Sequence, residues 1–134
     1  MGDTRWIDCP VVIPYMGGKF ELSRTLIPML APHSRYIEVF AGGLSMFYRK
    51  HQVEWNVVND KDGDIVNLYE SIRTKFDEFK KHAYWMIKGR EPFLRYRGEL
   101  HESKLIDMPD PERAAKYYYV IRNAFYRNIN ATVT

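Results

Sequence analysis

The stretch that most constrains this chain is Tyr36-Ile37-Glu38-Val39-Phe40-Ala41-Gly42-Gly43-Leu44-Ser45-Met46-Phe47. Its first five residues are β-branched or aromatic except for one acid. They run into Ala-Gly-Gly and then a short apolar-polar segment, a pattern that predicts a buried strand, a tight turn and a helix start. Gly42 and Gly43 can take positive φ and carry no Cβ to hold a ligand off the backbone, so the N–H groups opening the next helix can face an anion. In an open α/β sheet this is where nucleotide cofactors sit. A plain strand-to-helix turn fits the same residues.

The chain has 134 residues, 46% hydrophobic and 28% charged, which is enough for one globular domain. No apolar run approaches the roughly 18 residues of a membrane span, and the first residues lack the basic and apolar regions of a signal peptide, so a soluble, cytoplasmic protein is expected. Cys9 is the only cysteine, and no Cys/His cluster has zinc spacing, so no metal site is expected. Residues 1–72 carry 7 Lys/Arg against 9 Asp/Glu, a net of −2, whereas residues 73–134 carry 13 against 8, a net of +5. The basic half suits a polyanion, and a solvated helical face of mixed charge suits it as well.

Upstream, two prolines bracket Val11-Val12-Ile13 before Tyr15-Met16-Gly17-Gly18-Lys19, predicting an extended piece that ends in a Gly-Gly turn. A phosphate-binding Walker loop is excluded, because its first glycine falls on Ile13 and its magnesium-binding hydroxyl on Phe20. A helix follows over 21–30, with Leu22, Leu26, Ile27 and Leu30 at helical spacing and Pro32 as its stop. Downstream, residues 44–50 predict a short helix and 53–59 a second strand that ends at Asp60. An acid twenty residues beyond Phe40 is where a parallel nucleoside-binding fold presents a carboxylate to a ribose diol. Asp60 or Asp62 would serve equally as an N-cap.

Ile65, Leu68, Tyr69, Ile72, Phe76 and Phe79 predict one helix over 62–81 with a core-facing stripe. From Ala83 the chain turns to helical pieces rich in aromatics and arginine, with expected breaks at Gly89, Pro92, Gly98 and 108–111. A last helix is predicted over 112–126, with a stripe of Ala115, Tyr118, Tyr119, Ile121 and Phe125.

Four segments together carry a resemblance: Pro14-Tyr15-Met16-Gly17-Gly18-Lys19, Glu38-Val39-Phe40-Ala41-Gly42-Gly43, the run from Asn59 to Tyr69, and the run from Ala114 to Arg127. In order and spacing they closely resemble the N-terminal part of the DNA adenine-N6 methyltransferases of bacteria and phages, a family that includes restriction-modification enzymes. The resemblance implies the helix-rich N-terminal portion of an α/β, Rossmann-like methyltransferase sheet, with residues 1–82 binding S-adenosylmethionine and residues 83–134 opening a helical DNA-recognition region. By position it assigns Tyr15, Gly17, Gly18 and Lys19 to the first cofactor motif and Glu38, Phe40, Ala41, Gly42 and Gly43 to the Gly-rich loop. Ser45 becomes a donor to the methionyl carboxylate and Asp60 the acid that holds the ribose hydroxyls. Leu44 stands where many members have glycine or another small residue. The partner implied is duplex DNA, with Arg90, Arg95, Arg97, Arg122 and Arg127 as candidate contacts.

One departure is large. The family transfers the methyl group at an Asp/Asn-Pro-Pro-Tyr tetrapeptide, which this chain lacks. Asp8-Cys9-Pro10-Val11 and Asp110-Pro111-Glu112-Arg113 come nearest, and neither has the second proline or the aromatic residue. No catalytic residue is therefore assigned. In the family the tetrapeptide follows the recognition region, so it is expected beyond Thr134, with the 134-residue chain inactive alone. The alternative is a non-catalytic phage-encoded remnant that binds DNA or a protein.

Overall fold

The computed structural model describes residues 5–124, which form a helix-rich α/β chain with a two-stranded parallel sheet. Two compact units divide it, 1–61 and 62–134.

The first unit holds α1 (Phe20–Met29), β1 (Arg35–Glu38), α2 (Ser45–Arg49) and β2 (Trp55–Val58). The strands pair in parallel with Glu38 opposite Val58, and α2 lies in the crossover between them. Backbone bonds carry the pairing onward: Asn59 N–H donates to the Glu38 carbonyl at 2.8 Å and Ala41 N–H to the Asn59 carbonyl at 2.9 Å. The residues after β2 thus run alongside the glycine turn.

β1 is not the buried strand its composition suggests. Glu38 faces inward, while Ile37 is 62% exposed and Val39 also lies open, on the face shared with Trp55 and Val57. Side chains alternate along a strand, and here the alternation puts the acid inside and the β-branched residues outside. In α1 the buried positions are Ser23 and Ile27, whereas Leu22 and Met29 are exposed, and the helix contains Pro28 and ends before Pro32.

The segment leading into the first glycine turn lies across the two helices of this unit. Trp6 bridges Lys50 in antiparallel fashion, its indole N–H donates to Ser23 Oγ at 3.0 Å, and Ile7 N–H donates to the Arg49 carbonyl at 2.7 Å. The buried Arg49 guanidinium stacks 3.9 Å above the Phe20 ring and donates to the Cys9 carbonyl. Arginine tolerates this position because its planar, weakly hydrated cation can be desolvated against a ring.

The second unit contains α3 (Gly63–Thr74), α4 (Phe76–Tyr84), α5 (Arg90–Glu102) and α6 (Pro111–Asn123), with the other three packed on α6. The single helix expected over 62–81 is two helices. Lys75 leaves helical geometry at φ −135° and ψ 44°, which lets α4 swing so that Phe79 meets Tyr118 edge-on at 5.7 Å. Phe76, expected in the core, is exposed as a result. Pro92 and Gly98 do not break α5. Pro92 falls in its first turn, where the missing N–H costs nothing, and Gly89 is the N-cap instead.

Polar clasps close this unit. Asn67, fully buried, donates to the Asp110 carbonyl at 2.9 Å and accepts from Asp110 N–H at 2.7 Å. Arg113 meets Asp64 with two bonds of 2.6 and 3.0 Å and also donates to Ser103 and to the Leu100 carbonyl. Among the described residues no helix is long and apolar enough to cross a membrane, and no cluster of His, Cys, Asp and Glu could hold a metal ion.

Candidate functional site

Two turns and two strand ends build a cleft in the first unit. The first turn is closed by Gly18 N–H donating to the Tyr15 carbonyl at 2.9 Å, with Gly17 at φ +74°. The second has Gly42 at φ +49°, and a Cβ there would lie 3.0 Å from the Tyr15 ring. A Cβ on Gly43 would lie 3.3 Å from the Ile13 carbonyl oxygen. Glycine is therefore favoured at position 42 for its torsion, and at either position a side chain would press on the first turn by a few tenths of an ångström.

Leu44 replaces a third small residue, yet it takes the conformation glycine favours, with φ 54° and ψ 28°. A left-handed leucine costs about 1–2 kcal/mol, and this one is held by complete burial of its side chain.

The parallel register brings Asp60 to the same place. Its Oδ2 accepts from Gly42 N–H at 2.8 Å, so the carboxylate at the end of β2 ties down the glycine turn at the end of β1. Asp62, two residues on, accepts from Asp64 N–H and caps α3, so the N-cap falls to Asp62 and not to Asp60.

Tyr15, Gly17, Gly18, Lys19, Glu38, Phe40, Ala41, Gly42, Gly43, Ser45 and Asp60 all line this one cleft, whose empty volume is about 670 Å³ including its open side. Met16 and Lys61 also line it; both lie within the motif segments but were given no role there. Phe40 stands with 74% of its surface in water.

The electrostatics are mixed. Burial raises the Glu38 carboxyl above its ordinary range, opposed by the Tyr36 hydroxyl, which donates to it at 3.2 Å, and by Lys19 and Lys50. Burial also raises the Tyr36 phenol, helped by the Glu38 charge. Lys50 is buried too, its ammonium 4.3 Å above the Tyr36 ring and bonded to the His51 carbonyl and Asn56 Oδ1, and desolvation lowers its pKa while Glu38 raises it. Both members of the adjacent basic pair Arg49-Lys50 are buried and structural.

The family model for D12 class N6 adenine-specific DNA methyltransferases matches residues 15–131. This chain belongs to that family. A search of curated proteins found no match. Membership places the chain among DNA adenine-N6 methyltransferases, whose activity is transfer of a methyl group to DNA.

The arginines expected on DNA are less unified than the cleft. On α5, Arg90 and Arg97 are seven residues apart and share a face, whereas Arg95 points about 140° from Arg90 at 100° per residue. Arg95 pairs loosely with Glu91 at 3.9 Å, and Arg122 stacks over Tyr118 at 5.4 Å on α6. Arg127 lies outside the described residues. Of the two near-matches to the missing tetrapeptide, Asp110-Pro111 is the N-cap and first residue of α6, with Asp110 accepting from Arg113 N–H at 3.0 Å, so its role is structural.

Proposed function

We propose that the cleft holds S-adenosylmethionine and that the first unit is part of the Rossmann-like cofactor layer of a DNA adenine-N6 methyltransferase. The observation that carries this reading is the bond that Gly42 N–H donates to Asp60, which sets a carboxylate beside a glycine turn where side chains would be crowded. The charges suit the cofactor's polar groups. Asp60 would accept from the ribose diol, Glu38 from the α-ammonium, and Lys19 and Ser45 would meet the α-carboxylate. The exposed Phe40 ring offers a stacking face for the adenine. When bound, the cofactor supplies an electrophilic methyl group on a sulfonium. The chain's own part is to orient it, with Gly42, Gly43 and Tyr15 fixing the depth at which it lies.

Residues 83–134 are read as the opening of the DNA-recognition region, with Arg90, Arg95, Arg97, Arg122 and Arg127 meeting phosphates of duplex DNA in a salt-sensitive, largely sequence-independent way. Turnover needs acceptors that hold the adenine amine and a ring that stacks on the extruded base. The sequence has no Asp/Asn-Pro-Pro-Tyr segment to supply them, so the 134-residue chain is read as binding cofactor without methylating DNA. Titration calorimetry tests the cofactor reading: S-adenosylmethionine should bind and NAD and ATP should not, and equal binding of all three would overturn it. Any N6-methyladenine formed from labelled cofactor by the pure chain would overturn the second part.

A further inference from the structure

The loop between α4 and α5 displays an apolar tip ringed by cations. Tyr84, Trp85 and Ile87 are 69%, 79% and 79% exposed, three large apolar side chains within four positions. The Tyr84 and Trp85 rings meet edge-on at 4.9 Å, so the aromatics form one cluster. Exposure on this scale in so short a segment marks an interaction site rather than ordinary surface.

Charge identifies the partner. Asp77 and Glu78 open α4, but Lys80, Lys81 and His82 close it beside the loop, and Lys88 and Arg90 follow the tip, all of them exposed. Of the acids on the elements packed nearby, Glu99 and Glu112 hold Lys116 at 2.7 and 3.0 Å, while the exposed Glu91 pairs only loosely with Arg95 at 3.9 Å. Behind the tip, Trp85 and Met86 share a hollow of mixed charge with His82, Arg95, Tyr96, Glu99, Glu112 and Lys116. An apolar wedge flanked by lysine and arginine is the arrangement that enters a groove and opens a base step while its cations sit on the phosphates.

The loop is also held firmly. The buried Tyr119 hydroxyl accepts from Gly89 N–H at 3.0 Å and donates toward the Ile87 carbonyl at 3.1 Å, pinning the loop from the core of the helical unit. A tip fixed before binding loses little freedom on binding.

We infer that the α4–α5 loop is a DNA-contacting wedge in which Trp85 and Ile87 unstack a base step of duplex DNA while Lys80, Lys81, Lys88 and Arg90 contact the flanking phosphates. This rests on the reading of duplex DNA as substrate and adds a specific element to it.

The test uses the full chain and short mixed-sequence duplexes, each with one 2-aminopurine. Trp85→Ala/Ile87→Ala should fold as wild type, since both side chains are exposed, and should bind roughly tenfold or more weakly at fixed salt. Its salt slope should be unchanged and the 2-aminopurine enhancement lost. Lys88→Ala/Arg90→Ala should instead flatten the slope by about 0.9 per contact removed. If the double variant fails to fold, the single changes Trp85→Ser and Ile87→Ser carry the same readouts. Wild-type affinity and wild-type 2-aminopurine response in the tip variants would overturn the wedge while leaving DNA binding intact. Wild-type protein that binds no duplex at low salt, or that binds only anionic vesicles through these residues, would overturn the wedge and the substrate reading together.

Discussion

Asp60 has one role in the structure, accepting from Gly42 N–H, and a second on the proposed reading, and replacing it separates the two. Asp60→Ala removes the acceptor for Gly42 N–H at 2.8 Å and, on the proposed reading, the acceptor for the ribose diol. A hydrogen bond to a charged group contributes about 1.5–3 kcal/mol, so the loss at the ribose alone weakens S-adenosylmethionine binding roughly 10- to 150-fold. Releasing Gly42 from φ +49° destabilises the ligand-free chain as well, by about 1–2 kcal/mol because Asp60 is only half-buried. That is a fall in melting temperature of roughly 3–10 °C for a domain of this size. Asp60→Asn distinguishes the two roles: its amide oxygen can still accept from Gly42, so stability should be largely kept, while loss of the charge still weakens binding. Calorimetry and thermal melts on wild type and both variants suffice. Unchanged cofactor affinity in Asp60→Ala would refute the ribose role, and an unchanged melting temperature would refute the tether.

Three further outcomes are expected. Glu38 has a folded pKa raised by burial, so its ionisation opposes folding: the penalty is absent below the unfolded carboxylate range, grows as pH rises through the window up to the folded pKa, and is constant above it. Glu38→Gln should therefore melt higher than wild type at neutral pH, with the gap closing in acid, while binding S-adenosylmethionine more weakly; a gap independent of pH would contradict this. At Leu44, alanine and glycine both forfeit the buried side chain, at about 2–5 kcal/mol. Glycine escapes the left-handed cost, so Leu44→Gly should exceed Leu44→Ala in stability by up to about 1 kcal/mol, the reverse of the order in an ordinary helix, as denaturant unfolding will show. Arg113→Ala should cost about 2–3 kcal/mol by leaving the partly buried Asp64 without its partner, and Arg113→Lys should recover little because it cannot form the two-bond clasp; full recovery by lysine would show that charge alone suffices.

The cleft was more legible in the sequence than the packing around it. Gly42 and Asp60 could be paired in advance because a parallel crossover fixes where the second strand ends relative to the first, and that spacing survives in the linear chain. The burial of β1 was not legible, since Tyr36 to Phe40 has too little polarity contrast to show which face Ile37 would take. Lys75 broke a helix whose apolar stripe ran on unbroken, because Phe79 gains more against Tyr118 than a continuous helix would offer. Arg49 and Lys50 carry no sequence mark of burial. Arg49 is held by rings and a carbonyl, and Lys50 by a ring, a carbonyl and an amide with Glu38 as its charged neighbour twelve residues away, a separation that leaves no local charge pattern. The arginines of α5 were legible as a basic group, but the 100° helical step separates Arg95 from Arg90 and Arg97.

The clasp that Asn67 and Arg113 make has a consequence for the covalent chain. Together they join the first two turns of α3 to the start of α6, while the connection between α5 and α6 runs exposed through Lys104 and Ile106. The unit therefore does not depend on an unbroken backbone there. Trypsin acting briefly on native protein should nick at Lys104 and yield two bands on a denaturing gel that still travel as one species through a sizing column. The two pieces, once separated in urea and mixed, should find each other again without a peptide bond between them.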